Sequence, residues 1–325
     1  MTRTAQIAAG TGLTLAGLAG INALVGSRSG RLPEALAEGE RREYAWRHGR
    51  VSYQVAGEGI PLLLLHGTYA GASNYEWRRN FGPLAEGYRV YAPDLLGFGH
   101  SDRPALAYSD DLYTDLVHDF TRDVVCDACF AIADSYSSSF LIADAAANPC
   151  CYLSLILICP PPIEARNGTM GLGARAFGAL LRAPLVGTAL YHRVVSCANI
   201  EAELSKVYGR REAFDEDTVR YYHRSSHQPG AKWAASAFIA GVLKRDVRGE
   251  FRSLQMPVLL VWGDEAAYTP VSNAAGYLAA NPHAELRVFP ECGSLPHEEY
   301  PEQFNELVQA RFQVVVEEAP LAAAA

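Results

Sequence analysis

The sequence predicts an α/β fold: a mostly parallel, twisted sheet with helices on both faces and a helical insertion that interrupts the alternation. Three observations predict it. Apolar runs such as PLLLLHG (61–67) and LSLILICP (153–160) are continuous rather than alternating, as in strands buried on both faces. Strand and helix patterns alternate between residues 42 and 312. Only the stretch 162–232 departs, with a purely helical texture. The chain has 325 residues, 49% hydrophobic and 20% charged. This excludes a disordered or collagen-like chain and leaves ample length for a large core.

The elements follow in order. Residues 42–47 and 50–56 read as a hairpin joined at His48-Gly49. The run 61–67 is the first buried strand, and YRVYAPD (88–94) is the next. A helical stretch covers 111–125. FAIAD (130–134) is a strand, and the helix after it (136–149) stops at Asn148-Pro149. LSLILICP is the following buried strand. After the insertion come VLLVWGD (258–264), a helix near 272–280, ELRVF (285–289) and a last helix over 301–312. The expected division is an N-terminal apolar segment and linker (1–40), a core (41–161 and 233–315), a helical cap (162–232) and a tail (316–325) without evident role. An insertion between two sheet strands falls above their carboxyl ends, where open α/β sheets bind ligands.

Composition narrows the partners. The formal net charge is −8, and no basic patch is concentrated enough for nucleic acid. The seven cysteines show no second ligand pair of metal spacing, so they read as small, mostly buried thiols in a reducing compartment. His223 and His227, four apart, read as a solvated cap face. Residues 7–25 carry no charge, and Arg3, Arg28 and Arg31 flank them. Three readings stand: a membrane anchor, a cleaved signal, or a helix packed on the globular body. Membrane association is slightly favoured, which leaves localisation between cytoplasmic and membrane-associated.

From residue 43 to 313 the chain resembles the α/β-hydrolase family, in particular its capped members with an HG motif. The pieces stand in the family's order: LLLLHG (62–67), APDLLGFGHSDRP (92–104), AIADSYSSS (131–139), LILICP (155–160), PVLLVWGD (257–264) and CGSLPHEEYPEQFN (292–305). The resemblance implies the α/β-hydrolase fold and a serine at the turn between strand and helix. Here the family's G-x-S-x-G reads Ala133-Asp134-Ser135-Tyr136-Ser137. Ala and Ser are the next smallest residues after Gly, so the sharp turn survives in principle. Ser135 is the expected nucleophile, although a serine or aspartate at such a junction also serves as a helix cap. The backbone N–H groups of Tyr136 and of Thr68, just after His66-Gly67, are the implied oxyanion donors.

The other two triad positions depart from the family. In W-G-x-x-D the acid slot holds Ala266, and in G-H-x-x-x-x-E-x-P the histidine slot holds Ser294. A serine hydroxyl needs a base to take its proton. His297, three residues on, is the candidate base, with a structural role as the alternative. Asp264 is the chosen orienting carboxylate, with Glu265 and Glu164 as alternatives. The reading is a serine hydrolase acting on a small apolar ester through an acyl-enzyme at Ser135. No metal or organic cofactor is implied. Two rivals stand beside it: a fold-retaining binder of a small apolar ligand with a dismantled triad, and a lyase-type enzyme in the same pocket. Oligomeric state is left open.

Overall fold

The computed structural model describes residues 30–164 and 172–322, together with Gly17 and Gly20. Eight strands form one sheet in the order β1-β2-β4-β3-β5-β6-β7-β8. They are β1 (Glu40–Trp46), β2 (Gly49–Ala56), β3 (Pro61–Leu65), β4 (Arg89–Pro93), β5 (Cys129–Asp134), β6 (Tyr152–Ile158), β7 (Val258–Gly263) and β8 (Glu285–Phe289). The pairs β1–β2 and β2–β4 are antiparallel, and the remaining pairs are parallel. The expected α/β-hydrolase architecture is therefore present, with each strand within a few residues of its predicted place.

Burial explains the sequence texture. Leu62, Leu63, Leu64 and Leu65 are all inaccessible to solvent, as are Phe130, Ala131, Ile132 and Ala133 on the neighbouring strand. Each such leucine taken out of water contributes ~1.5–3 kcal/mol. Central strands sealed on both faces cannot carry polar residues on alternate positions, so their sequence runs are apolar throughout. The edge strand β1 is exposed along most of its length and carries Glu40, Arg41, Arg42 and Glu43. Charges there discourage pairing with another chain.

The helix Ser137–Ala147 follows β5 and is buried nearly all round. It packs between the sheet and the helices Asp110–Phe120 and Arg248–Ser253. The first of these continues into a π-helical turn, and the backbone leaves it at Cys126 in the left-handed region (φ 60°) before β5 opens at Cys129. The last helix, Pro301–Ala322, extends ten residues beyond its predicted end. The stretch expected to be a tail thus begins as regular helix.

Between β6 and β7 lie the helices Leu172–Arg182, Val186–Val194, Cys197–Val207, Glu216–Ser226 and Lys232–Ile239. They hold their own apolar cluster, which includes Leu181, Tyr191, Ile200, Leu204 and Tyr222. The helical run passes residue 232, the predicted limit of the insertion. The histidines here are not a solvated face. His227 is buried, with ring centroids 4.0 Å from His223 and 4.8 Å from His192. The cysteines also divide more evenly than expected: Cys129, Cys159 and Cys292 are buried, whereas Cys126, Cys150 and Cys197 are exposed. Among the described residues no helix is long and apolar enough to cross a membrane. Residues 7–25, the expected membrane-associating segment, lie outside the described residues except for Gly17 and Gly20.

Candidate active site

The turn from β5 into the helix Ser137–Ala147 carries Ser135 with φ 51°, in the left-handed region that non-glycine residues rarely occupy. Such strain persists only where the surroundings hold it. The Ser135 N–H donates to the Ile158 carbonyl at 2.9 Å, continuing the β5–β6 ladder, and the Ser138 N–H returns to the Ser135 carbonyl at 3.1 Å. The residues in place of the family's glycines are accommodated. Ala133 packs without exposure, and the Ser137 hydroxyl donates to the His66 carbonyl at 2.5 Å. That bond ties the turn to the loop after β3.

This loop is itself held from behind. The Leu95 N–H donates to His66 Nε2 at 3.0 Å, so the ring proton sits on Nδ1 and donates to the Gly67 carbonyl at 2.6 Å. Gly67 has no room for a side chain. A Cβ there would meet Asp134 Oδ2 and the Tyr69 ring, each at 2.7 Å. The Gly67 N–H points at both oxygens of Glu76, at 3.2 Å. The buried Asp94 carboxylate supports the neighbouring loop by accepting from the N–H groups of Asn74 (2.8 Å) and His100 (2.7 Å).

Ser135 and Tyr136 line a cavity of about 820 Å³ between the sheet and the inserted helices. Val194, Val195, Ile200, Leu204, Phe238 and Ile239 give it apolar walls. Tyr69, Asp134, Cys159, Tyr222 and Ser294 also reach it. Burial, with the Glu76 and Glu298 carboxylates nearby, pushes the Asp134 carboxyl well above the usual range.

The structure does not gather all the predicted site residues around this cavity. No histidine lines it among the described residues. His297 sits on the short helix Pro296–Glu299, fully buried, with its ring against Trp77 at 4.6 Å between centroids and Phe304 at 5.8 Å. Its Nε2 lies 3.6 Å from Glu76 Oε1. The loop before it cannot swing inward freely. The Ser294 N–H donates to the Val207 carbonyl at 2.7 Å, and Glu299 accepts from Gly293 (2.8 Å) and Arg210 (2.9 Å). Asp264 is exposed and accepts from the Cys292 N–H at 3.3 Å, and among the described residues no imidazole bonds to it. Glu164 is exposed and pairs with Arg248. Thr68 is buried beside the cavity rather than lining it. Tyr136 directly precedes the helix, so its N–H belongs to that helix's electropositive end.

Sequence reasoning passed over the polar groups packed behind the cavity wall. Glu76, Arg78, Tyr69, Tyr208, Tyr222 and Glu298 form one buried cluster with His297. Arg78 pairs with Glu298 at 2.6 Å, and the Tyr208 hydroxyl donates to Glu298 at 2.5 Å. Burial opposes the Arg78 charge, but Glu298 beside it raises its pKa further still. In the sequence Glu76 sits in NYEW and reads as one more helical carboxylate. Its only signal is its place nine residues after the HG motif.

A mostly parallel sheet with a strained serine at the strand-to-helix turn, under an apolar cavity, defines the class of α/β-fold hydrolases. The model of the alpha/beta hydrolase family matches residues 62–307, and the chain belongs to that family. An uncharacterized protein of Mycobacterium tuberculosis is 26% identical over 285 residues, covering 84% of this chain and 81% of its own length. The 2-hydroxymuconate semialdehyde hydrolase of Pseudomonas sp. (strain CF600) is 25% identical over 267 residues, covering 80% of this chain and 89% of its own. Among solved structures, a mutant of a meta-cleavage product hydrolase superposes with a TM-score of 0.68 at 25% identity, covering 84% of this chain and 97% of its own.

Proposed function

We propose that this α/β-fold hydrolase is a serine hydrolase in which Ser135 attacks the carbonyl of a small, largely apolar substrate to form an acyl-enzyme. The observation that carries this reading is the backbone of Ser135, held at φ 51° at a residue that lines the cavity. A merely capping serine has no need of that conformation, since caps are ordinarily extended. The Tyr136 N–H, at a helix start, and the Thr68 N–H are the proposed donors to the developing oxyanion. The apolar walls favour an ester or a related carbonyl compound with little charge, and the helices 172–239 act as the cap that excludes water. The relatives named as hydrolases of 2-hydroxymuconate semialdehyde and of 2-hydroxy-6-oxo-6-phenylhexa-2,4-dienoate support a carbonyl compound as the substrate class.

The experiment is labelling with a fluorophosphonate. Labelling at Ser135, and loss of both labelling and p-nitrophenyl ester turnover in Ser135→Ala, is the expected outcome. A folded protein that binds an apolar ligand saturably yet takes no label would overturn this reading in favour of the binder.

A further inference from the structure

Behind the cavity wall a chain of oxygens leads away from the pocket. Tyr222, on the helix Glu216–Ser226, and Tyr69, in the loop after β3, both line the cavity, and their hydroxyls lie 2.9 Å apart. The Tyr69 hydroxyl is 2.5 Å from Glu76 Oε2 and donates to it. Glu76 is fully buried and receives the Gly67 N–H at both oxygens.

The proton count sets the direction of this chain. A phenol has one proton to give. Tyr69 gives its proton to the Glu76 carboxylate, so its oxygen accepts from Tyr222. Tyr222 has then used its own proton and turns only lone pairs to the cavity. Protonate Glu76 and every bond reverses, which makes Tyr222 a donor. The charge cannot rest on either tyrosine. Burial above all, then the Glu76 carboxylate, drives the Tyr69 phenol well above its usual range, and burial with Glu298 does the same at Tyr222.

We propose that Glu76 is the proton acceptor for chemistry in the cavity, reached through Tyr222 and Tyr69. The proposal rests on the Ser135 reading and supplies the base that reading lacks. As Ser135 Oγ bonds to the carbonyl carbon, the carbonyl π pair moves onto oxygen. The Oγ proton passes through a bridging water to the Tyr222 oxygen. The Tyr222 proton moves to Tyr69, and the Tyr69 proton to Glu76 Oε2. Both tyrosines end neutral, and Glu76 becomes a carboxylic acid. Collapse of the tetrahedral intermediate expels the leaving group, which takes the proton back along the same path. A water then attacks the acyl carbon and its proton follows the first route; collapse of this second intermediate breaks the carbon–Oγ bond, and Ser135 Oγ takes the proton back from Glu76 along the same path. Tyr222 is the member at the cavity end of the relay. Tyr69 and Glu76 act through it as positioning residues. The ionisable groups around Glu76 are His297 from the helix Pro296–Glu299, Asp134 from β5, and Glu298 with its partner Arg78.

The test compares wild type, Ser135→Ala, Tyr222→Phe, Tyr69→Phe and Glu76→Gln on p-nitrophenyl butyrate, with Tyr88→Phe, remote from the cavity, as control. Each phenylalanine removes one oxygen and keeps the ring packing, and circular dichroism shows whether each variant is folded before its kinetics are read. The expected result is a fall in kcat on the order of 10²-fold in Tyr222→Phe and Tyr69→Phe with KM nearly unchanged. The multi-proton solvent isotope effect of wild type should vanish in Tyr69→Phe, and Glu76→Gln, which keeps the side chain's size but cannot take the proton, should lose kcat to at least the same extent. If both phenylalanine variants keep wild-type kcat while Ser135→Ala is inactive, the relay is overturned and the nucleophile stands. No Ser135-dependent turnover in wild type overturns both.

Discussion

At the scale of single residues, buried charge is the dominant constraint around the cavity. Arg78 and Glu298 are paired at 2.6 Å with almost no water. The pair adds little net stability over an apolar pair, but removing one member strands the other. Glu298→Ala should therefore lower the unfolding free energy by ~3–5 kcal/mol in urea denaturation. A loss below about 1 kcal/mol, the scale of an exposed pair, would contradict this account. His297 belongs to the same packing. Its ring lies against Trp77, and its carbonyl accepts from Asn80 at 3.0 Å. The sequence shows a histidine near the vacant family slot, but not its direction. Ser294 precedes the short helix and lines the cavity, whereas His297 lies inside that helix with its ring against Trp77 behind the wall.

At the scale of elements, the inserted helices carry a response to acid. The imidazoles of His192, His223 and His227 are stacked, and burial first, then the charge of His223, lowers His227 to about 4. The unfolded chain protonates near the ordinary value of about 6.5. Between these values the unfolded state binds the extra proton, so stability rises with pH across that window. It is fully present above about pH 6.5 and falls away as the pH approaches 4, by up to ~3 kcal/mol. Thermal unfolding followed from pH 7 to pH 4 should show this slope, and His227→Gln should flatten it. Equal slopes in the two proteins would rule out His227 as its source. Periodicity in the sequence placed both histidines on one helix face. It could not reveal that His192, from another helix, would close over them.

At the scale of the whole molecule, the last helix packs on the middle of the sheet. Phe312 stacks on Phe130 of β5 at 3.9 Å and packs edge-on to Tyr88 at 5.8 Å. Phe312→Ala should cost ~3–5 kcal/mol, read as a lower midpoint in denaturant with an unchanged slope. A change confined to the slope would instead point to an altered denatured state. What the sequence by itself determined is the order of strands and helices, the parallel core, the family, and the serine between β5 and its helix. These are local signals: a sealed strand needs an apolar run, and a sharp turn needs small neighbours. Only the tertiary structure decided which polar groups meet. Glu76, Tyr222 and His297 come from the loop after β3, the inserted helices and the loop after β8, more than seventy residues apart along the chain. A carboxylate or phenol has no local pattern that states its partner. Its partner is set when the helices close over the sheet and exclude water, so that each remaining polar atom must find another.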